Sequence, residues 1–300
     1  MIPNFGHYDH RACRRWHILR GVINPKTPPS ADLPPIWAPG AADPDKPSTA
    51  RVRDYWLGGV HNSAADRRLG EQFTLCAPQL PYLVRTHRNF LRRVVTRLVR
   101  DGVHQFVDLG SGMPTAGNVH KVAQRVNPEC RVVYTDIDPV VVAESRELLA
   151  GDDRTTYLHA DLRRPEQILD SPDLRGLLDL DEPVALLAID MLHHVLDSAG
   201  PAQLLTTYAD ALGPACQVAL SHTYRDERML DALRLYSDIY NKPLPEFAFR
   251  SAAEVGDLLA GFEVSEPGLV PIPLWLPDAD TEPDQNPEHF SGCAALARRR

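Results

Sequence analysis

The feature that most restricts the fold is an alternation of apolar runs with helical segments, which starts near residue 104. Each run precedes a segment in which apolar residues recur at helical spacing. The first, fourth and fifth runs are apolar almost throughout, as expected for strands buried on both faces. This order predicts a doubly wound, mostly parallel α/β sheet with right-handed crossovers. The five predicted strands are 104–109, 131–136, 155–161, 183–190 and 216–222.

Segments on either side of this alternation complete the predicted organisation. Residues 1–46, rich in proline, are expected to form an irregular arm. Residues 47–102 contain a helix capped by Ser48 or Thr49 and a second, amphipathic helix that ends at Gly102. The core is expected to span 103–276 and to close with an antiparallel hairpin within 262–275. Residues 277–300 are predicted to be a loop and a solvated tail.

A glycine-rich turn follows the first predicted strand, in the stretch "QFVDLGSGMPTAGN" at 105–118. Such a turn lets the backbone approach a ligand, and the helix after it offers free N–H groups. A dinucleotide fingerprint would require a glycine at position 115, which is a threonine. The P-loop pattern is absent from the turn as well. The spacing therefore disfavours a nicotinamide dinucleotide and excludes a P-loop nucleotide site.

Acidic residues end the next two predicted strands. Asp136 is placed where a carboxylate can accept both hydroxyls of a ribose. Asp161 is placed where a carboxylate can accept from the exocyclic amine of a purine. Together with the glycine turn, these acids predict a pocket for an adenosine that carries no phosphate.

These segments carry a resemblance to a known family. "DLGSG", "TDID" and "ADLR", in this order, resemble the S-adenosylmethionine site of the class I methyltransferases. "PSTARVRDYWLGGVHNSAADR", "HADLRRPEQIL" and "EPGLVPIPLW" extend the likeness to the actinobacterial S-adenosyl methyltransferase family, formerly a domain of unknown function. The resemblance covers about residues 47–276. It implies a Rossmann-like, seven-stranded methyltransferase sheet with a terminal antiparallel strand, and S-adenosylmethionine as cofactor.

The resemblance also implies roles for individual residues. Asp108 would pair with the cationic amine of the cofactor, and the helix start would reach its carboxylate. Asp136 would hold the ribose, and Asp161 the adenine. Residues 47–102 would form a helical lid over the cofactor, although 60–63 departs from the family's usual Lys-Asp-Asn-Phe. The implied cofactor residues are Tyr55, Gly58, Gly59, Asn62, Asp108, Gly110, Ser111, Gly112, Thr115, Asn118, Asp136, Ile137, Asp138, Asp161, Leu162 and Asp190.

Candidate catalytic residues follow the fourth strand, near the expected position of the transferred methyl group. Methyl transfer needs a base only when the acceptor is protonated at the working pH. Asp190, His193 and His194 are the candidates, because histidine titrates near neutral pH. His222, at the end of the fifth strand, is a further candidate. The fourth strand is not followed by an Asn-Pro-Pro-Tyr motif, which argues against methylation of amides or adenine.

Composition limits the partners that we expect. The net charge of −8 argues against a nucleic-acid substrate, and no apolar run is long enough to cross a membrane. The N-terminus lacks a secretory pattern, so a cytoplasmic protein is expected. Five scattered cysteines show no metal-ligand spacing, and we predict no metal site. The sequence thus predicts a methyltransferase with a small-molecule acceptor. Two alternatives stay open: a non-catalytic sensor of S-adenosylmethionine and, with less support, a nicotinamide-dependent oxidoreductase.

Overall fold

Five parallel strands form the centre of the computed structural model, in the spatial order β3-β2-β1-β4-β5. The order reverses between β1 and β4, so the carboxyl ends of these strands border a crevice. Each strand overlaps the run that predicted it, which confirms the parallel α/β sheet. The strands are β1 Gln105–Asp108, β2 Arg131–Asp136, β3 Thr155–His159, β4 Val184–Ile189 and β5 Gln217–Thr223.

The structure describes residues 46–115, 117–240, 247–281 and 284–300, with the side chain of 228 left out. Apart from Lys46, the predicted arm 1–46 lies outside the described residues. Within them, no helix is long and apolar enough to cross a membrane.

The antiparallel part of the sheet differs from the prediction. Its strands are β6 Phe262–Val264, β7 Val270–Pro271 and β8 Gly292–Arg299. β8 lies between β5 and β6 and runs antiparallel to both. β6 and β7 each pair with β8 instead of with each other, and Ile272–Leu274 is a 3-10 helix. The predicted hairpin within 262–275 is therefore wrong.

The predicted loop and solvated tail at 277–300 is also wrong over its last third. Residues 292–297 are buried in the sheet. The terminal arginines are tied to neighbouring elements, since Arg298 pairs with Glu263 and Arg299 with Asp210. The physical reason for the error is that β8 is covered on both faces. It therefore shows no polar alternation, and its alanines carry little strand propensity.

Helices cover both faces of the sheet and precede it. Ser48 caps the first one by accepting from the Arg51 amide, as predicted. The helix after the glycine turn begins at Val119, four residues later than expected, with Asn118 as its cap. The helices are α1 Thr49–Trp56, α2 Ala64–Cys76, α3 Leu80–Arg100, α4 Val119–Val126, α5 Pro139–Leu148, α6 Pro165–Leu169, α7 Pro172–Leu177, α8 Pro201–Ala211, α9 Glu227–Tyr240 and α10 Ala252–Leu258.

Two apolar clusters pack on the sheet and fix the strand ends in space. One joins α3 to Phe106 of β1 and to its neighbours in the sheet. The other joins α8 to Val107 and the residues beside it. Because successive side chains of a strand point to opposite faces, Phe106 and Val107 anchor β1 from both sides. The turn that follows β1 is therefore held on a rigid support.

Candidate active site

The glycine turn after β1 is bound firmly to the neighbouring strands. Gly110 and Gly112 have φ angles of 59° and 64°, in the left-handed region that favours glycine. The Ser111 amide donates to the Thr135 carbonyl oxygen of β2 over 2.9 Å. The Tyr157 hydroxyl of β3 donates to the Gly112 carbonyl oxygen over 2.7 Å. A Cβ at position 110 would lie 3.3 Å from Met191 Cε, so the turn leaves room only for backbone there.

Asp108, the last residue of β1, is a buried carboxyl group beneath this turn. Burial raises its pKa to about 7, the nearby Asp136 raises it as well, and the Arg88 guanidinium on α3 opposes that shift. The group is therefore close to half ionised at neutral pH. Arg88 was not among the predicted residues, although its aliphatic stem reaches the glycine turn at Gly117.

Asp136, at the end of β2, faces the same turn. Its Oδ2 accepts from the Gly112 amide and its Oδ1 from the Asp138 amide, each over 3.0 Å. Burial raises its pKa, whereas these two hydrogen bonds act to lower it. Asp138 caps α5 through the Val140 amide, and Ile137 between them is half-buried. The structure thus brings Asp108, Asp136 and the glycine turn together.

Asp161, after β3, is held differently. Its carboxylate accepts from the Arg163 side chain at Nε and Nη2, over 2.9 and 2.6 Å. Although burial acts to raise its pKa, the hydrogen bonds from Arg163 lower it. The Leu162 carbonyl oxygen accepts from the Tyr208 hydroxyl of α8. β3 ends at His159, two residues before the predicted end, so Asp161 follows the strand. A ligand amine would have to share its carboxylate with Arg163.

Helix α1 closes over the glycine turn. The Thr115 hydroxyl donates to the Asp54 carboxylate, and a Cβ at position 112 would lie 3.4 Å from that of Ala50. Asn62 donates to the same Asp54 carboxylate over 2.8 Å. A Cβ at position 59 would overlap that carboxylate, so Gly59 makes room for it.

Gly58, Tyr55 and Asn118, which the resemblance also assigned to the cofactor, make contacts within the protein that support the turn and α1. Gly58 has a φ of 76° at the end of α1. The Tyr55 ring lies against Gly70 of α2. The Asn118 side-chain amide donates to the Pro114 and Thr115 carbonyl oxygens, and its Oδ1 accepts from the Lys121 amide. The Thr115 hydroxyl and the Asn118 side-chain amide were expected to reach the cofactor's carboxylate, but both already donate to groups of the protein.

Asp190, directly after β4, is the centre of a buried polar network. Its φ of 48° is unusual for a residue other than glycine. Its Oδ2 accepts from Arg53 Nη1 and its Oδ1 from the Thr223 hydroxyl, both over 2.7 Å. Burial acts to raise the pKa of this carboxyl, but the His87 ring and the Arg53 guanidinium hold that pKa below its usual range. Asp190 is therefore an anion, and α1 supplies its cation.

The network contains a histidine that the sequence did not point to. His87 of α3 lies with Nδ1 2.8 Å from the Ser221 hydroxyl and with Nε2 3.4 Å from Asp190 Oδ1. Burial lowers its pKa to about 4, so the ring is neutral at physiological pH. His87 and Arg53 sit on helices far from β4 in the sequence, and neither belongs to a local motif.

His193 and His194 lie beside Asp190 in a short 3-10 helix. The ring of His193 is buried, with Nδ1 3.6 Å from Asp190 Oδ1 and without a hydrogen-bond partner in the described part of the chain. That distance is too long for a hydrogen bond. Burial lowers the pKa of His193 well below its usual value and that of His194 to about 4. Both rings are neutral at physiological pH.

Both ring nitrogens of His222 are hydrogen-bonded, in contrast to Nδ1 of His193. Its Nε2 lies 3.2 Å from Arg250 Nη1, which can only donate, so Nε2 accepts. Its Nδ1 therefore carries the proton and donates to the Thr223 carbonyl oxygen over 2.6 Å. Both ring nitrogens are satisfied, and His222 has no lone pair left to act as a base.

Two solved structures resemble the chain over most of its length. One is a candidate methyltransferase from Thermobifida fusca YX, with 36% identity and a TM-score of 0.77, covering 88% of this chain and 99% of that one. The other is a DUF574 family protein from Streptomyces avermitilis MA-4680, with 35% identity and a TM-score of 0.76, covering 85% of this chain and 98% of that one. A search of curated proteins gives no match.

A family model described as S-adenosyl methyltransferase matches residues 36–300. This range includes β8, which lies beyond the segments that carried the resemblance in the sequence. The mostly parallel sheet with an antiparallel C-terminal strand agrees with the methyltransferase sheet that the resemblance implied, although its described part has eight strands where seven were expected, because the short β7 also pairs with β8. The chain therefore belongs to the S-adenosyl methyltransferase family, and S-adenosylmethionine is its cofactor.

Proposed function

We propose that this protein transfers the methyl group of S-adenosylmethionine to a small-molecule nucleophile. The observation that carries the proposal is the Asp190–His193 pair, a buried carboxylate beside a neutral imidazole. The pair is adjacent to the glycine turn, since Met191 bounds the space at Gly110. A donor bound at that turn and an acceptor beside His193 would meet at the end of β4.

The residues at the strand ends fit the cofactor. The bare backbone at Gly110 and Gly112 lets Met191 and Ala50 approach the turn closely, and Asp108 beneath it would offer a carboxylate to the cofactor's amine. Asp136 is half-buried and would hold the ribose hydroxyls, with Ile137 and Asp138 beside it. Asp161 and Leu162 would flank the adenine. Gly59 and Asn62 act through Asp54 by shaping the segment over the turn, Gly58 ends α1, and we propose no direct cofactor contact for Gly58 or Tyr55.

The bound cofactor supplies a methyl group on a sulfonium, which is displaced in line by the acceptor. The protein's own task is alignment and transfer of a proton. As the acceptor forms its bond to the methyl carbon, its proton passes to the imidazole of His193. The Asp190 carboxylate, 3.6 Å from Nδ1, stabilises the imidazolium that results. His194 would shape the acceptor side, where its ring packs against those of His193 and Phe247.

The acidic character of the chain supports a small acceptor. The net charge is −8, and a polyanion would be repelled by such a surface. Within the described residues, no group of His, Cys, Asp and Glu has the arrangement of a metal site. The transfer proposed here relies on Asp190 and His193 alone for the movement of the proton.

Calorimetry with S-adenosylmethionine and S-adenosylhomocysteine tests the proposal on three proteins: the wild type, Asp136→Asn and Asp153→Asn. Asp153 is an exposed acid remote from the turn and serves as the control. Loss of a charged acceptor for two hydroxyls should weaken binding by about 1.5–3 kcal/mol in Asp136→Asn and leave the control unchanged. Absence of binding in the wild type would refute the proposal.

The regulatory alternative is tested with His193→Gln. If the protein is an enzyme, this variant should bind the cofactor as the wild type does and lose turnover. A sensor would bind the cofactor but would not consume S-adenosylmethionine with any acceptor in a broad panel. In that case the wild type and His193→Gln would both bind the cofactor and both lack turnover.

A further inference from the structure

Four aromatic rings form a cluster next to Asp190. The cluster consists of His193, His194, Phe247 and Phe249. The His193 ring is nearly parallel to that of Phe249, at an interplanar angle of 11° and a centroid distance of 6.0 Å. Phe247 contacts both histidine rings edge-on, at 5.5 and 5.3 Å. His194, Phe247 and Phe249 are half-buried, so part of each ring reaches the surface of the cluster.

Arg250 holds the two chain segments of this aromatic cluster in one position. It is buried, and its guanidinium donates to the Leu192 and Val195 carbonyl oxygens over 2.9 and 2.7 Å. The Ala248 amide also donates to the His193 carbonyl oxygen over 2.8 Å. The segments 192–195 and 247–250 are thereby joined on both sides of the rings. Such a cluster presents a rigid surface, which binds a rigid partner at low entropic cost.

The surroundings of the cluster are electrically balanced. Both histidine rings are neutral, because burial lowers their pKa values. The charged groups next to the cluster are paired with each other, Arg53 with Asp190 and Arg250 with Asp197. A ligand that carries a charge of its own would have to break one of these pairs or remain unpaired, at the cost of desolvation.

The His193 Nδ1 atom is a buried polar atom beside this apolar surface. The residue is only 8% exposed, and Nδ1 is without a hydrogen-bond partner among the described residues. Buried polar atoms are normally paired, and an unpaired one calls for a partner. A hydroxyl or amine on the ligand would supply it.

We propose that the methyl acceptor is an uncharged, planar aromatic compound that packs on the aromatic cluster and directs a hydroxyl or N–H group at His193. This inference rests on the proposed function and narrows its substrate class. In the transfer, the acceptor's oxygen or nitrogen forms the new bond to carbon while the sulfur keeps the electron pair of the broken bond. The proton of the acceptor goes to His193.

The test uses the protein saturated with S-adenosylhomocysteine and three small probes at pH 7.5. These are 2-naphthol, its saturated analogue decahydro-2-naphthol and the anion 2-naphthalenesulfonate. Aromatic contacts add to the binding that comes from buried area alone. We expect 2-naphthol to bind about 3- to 10-fold more tightly than the saturated analogue, as one such contact provides, and the sulfonate to bind most weakly.

Two variants locate the binding. Phe249→Leu should remove the preference for 2-naphthol, whereas Phe73→Leu should keep it. Phe73 is a suitable control because its ring stacks on Tyr236 of α9, outside the cluster. The comparison of probes in the wild type needs no variant, so a folding defect in Phe249→Leu would not decide the outcome.

The outcomes separate the two proposals. Failure to bind S-adenosylhomocysteine would refute the proposed function. If S-adenosylhomocysteine binds but 2-naphthol binds no more tightly than its saturated analogue, or does not bind at all, only the proposal of an aromatic acceptor would be refuted. Tightest binding of the sulfonate would refute the requirement for an uncharged ligand.

Discussion

Ionisation of Asp108 should control the affinity for the cofactor. The carboxyl group has a pKa of about 7, and we expect only its ionised form to pair with the amine of the ligand. Its ionised fraction falls from about 0.76 at pH 7.5 to about 0.03 at pH 5.5. The dissociation constant of S-adenosylhomocysteine should therefore rise by about 25-fold over this interval. Calorimetry across the range, with circular dichroism to verify the fold at each pH, measures this change.

Asp108→Asn supplies the control for the titration. The variant should bind weakly at pH 7.5 and should lose the part of the pH dependence of binding that Asp108 contributes.

The free energy of unfolding should depend on pH in the opposite sense to the affinity. Because the pKa of Asp108 is higher in the folded state than the ordinary 3.8, the wild type loses stability as pH rises from 4 to 7. A wild-type affinity that changes less than about threefold between pH 7.5 and 5.5, against the tenfold expected per pH unit below 7, would refute this role.

Two further substitutions test the lid and the sheet. Gly59→Ala forces the Asp54 carboxylate from its place and should cost about 1.5–3 kcal/mol of stability in urea unfolding, together with weaker S-adenosylhomocysteine binding. Gly176→Ala in α7, where a Cβ meets nothing within 4 Å, should not lower stability, because alanine favours a helix, and should leave binding unchanged; equal losses in the two variants would count against the contact between Gly59 and Asp54. Leu296→Ala in β8 should cost about 2–5 kcal/mol in urea unfolding, because the side chain is buried on the sheet. A cost below about 0.5 kcal/mol, the size of an ordinary surface substitution, would mean that 292–299 is a tail after all.

The parallel core could be predicted from the sequence because its signals are local. An apolar run such as 184–189, bounded by turn residues and followed by a helical period, has few alternative structures. The same holds for the glycine turn, where positive φ angles at Gly110 and Gly112 require the residue type that marks the motif. The closeness of the acids that follow the strands could also be predicted, because the carboxyl ends of parallel strands lie at one edge of the sheet.

The C-terminal strand could not be read in this way. "GCAALARR" has neither the alternation of a half-buried strand nor a β-branched residue. Its conformation is decided by seven register pairs with β5, from Gln217 to Thr223, which are remote in sequence. Tertiary pairing overrides a local preference here, and a single sequence does not display the partner.

The polar groups around Asp190 show the same limit in the site. Arg53, His87 and Thr223 come from α1, α3 and β5, and each is unremarkable within its own segment. Their significance arises from the fold, which places them around one buried carboxylate. Sequence reasoning identified Asp190 and His193 because they lie at a strand end, but it had no signal for the residues that set their charge.

The energetic cost of the network around Asp190 links helix α1 to the end of β4. An ionised carboxylate in the interior is unfavourable unless it is paired, and Asp190 also adopts a φ of 48°. Apolar residues of similar volume would stabilise the fold at least as well, so stability alone does not account for the arrangement. Among the described residues, the permanent cation in contact with Asp190 is Arg53, which belongs to helix α1. The helix that packs against the glycine turn is thus the one that keeps Asp190 ionised. If Asp190 and His193 act as we propose, the charge of that pair depends on α1 being held against the turn, and a substitution that removes the Arg53 cation should raise the pKa of Asp190.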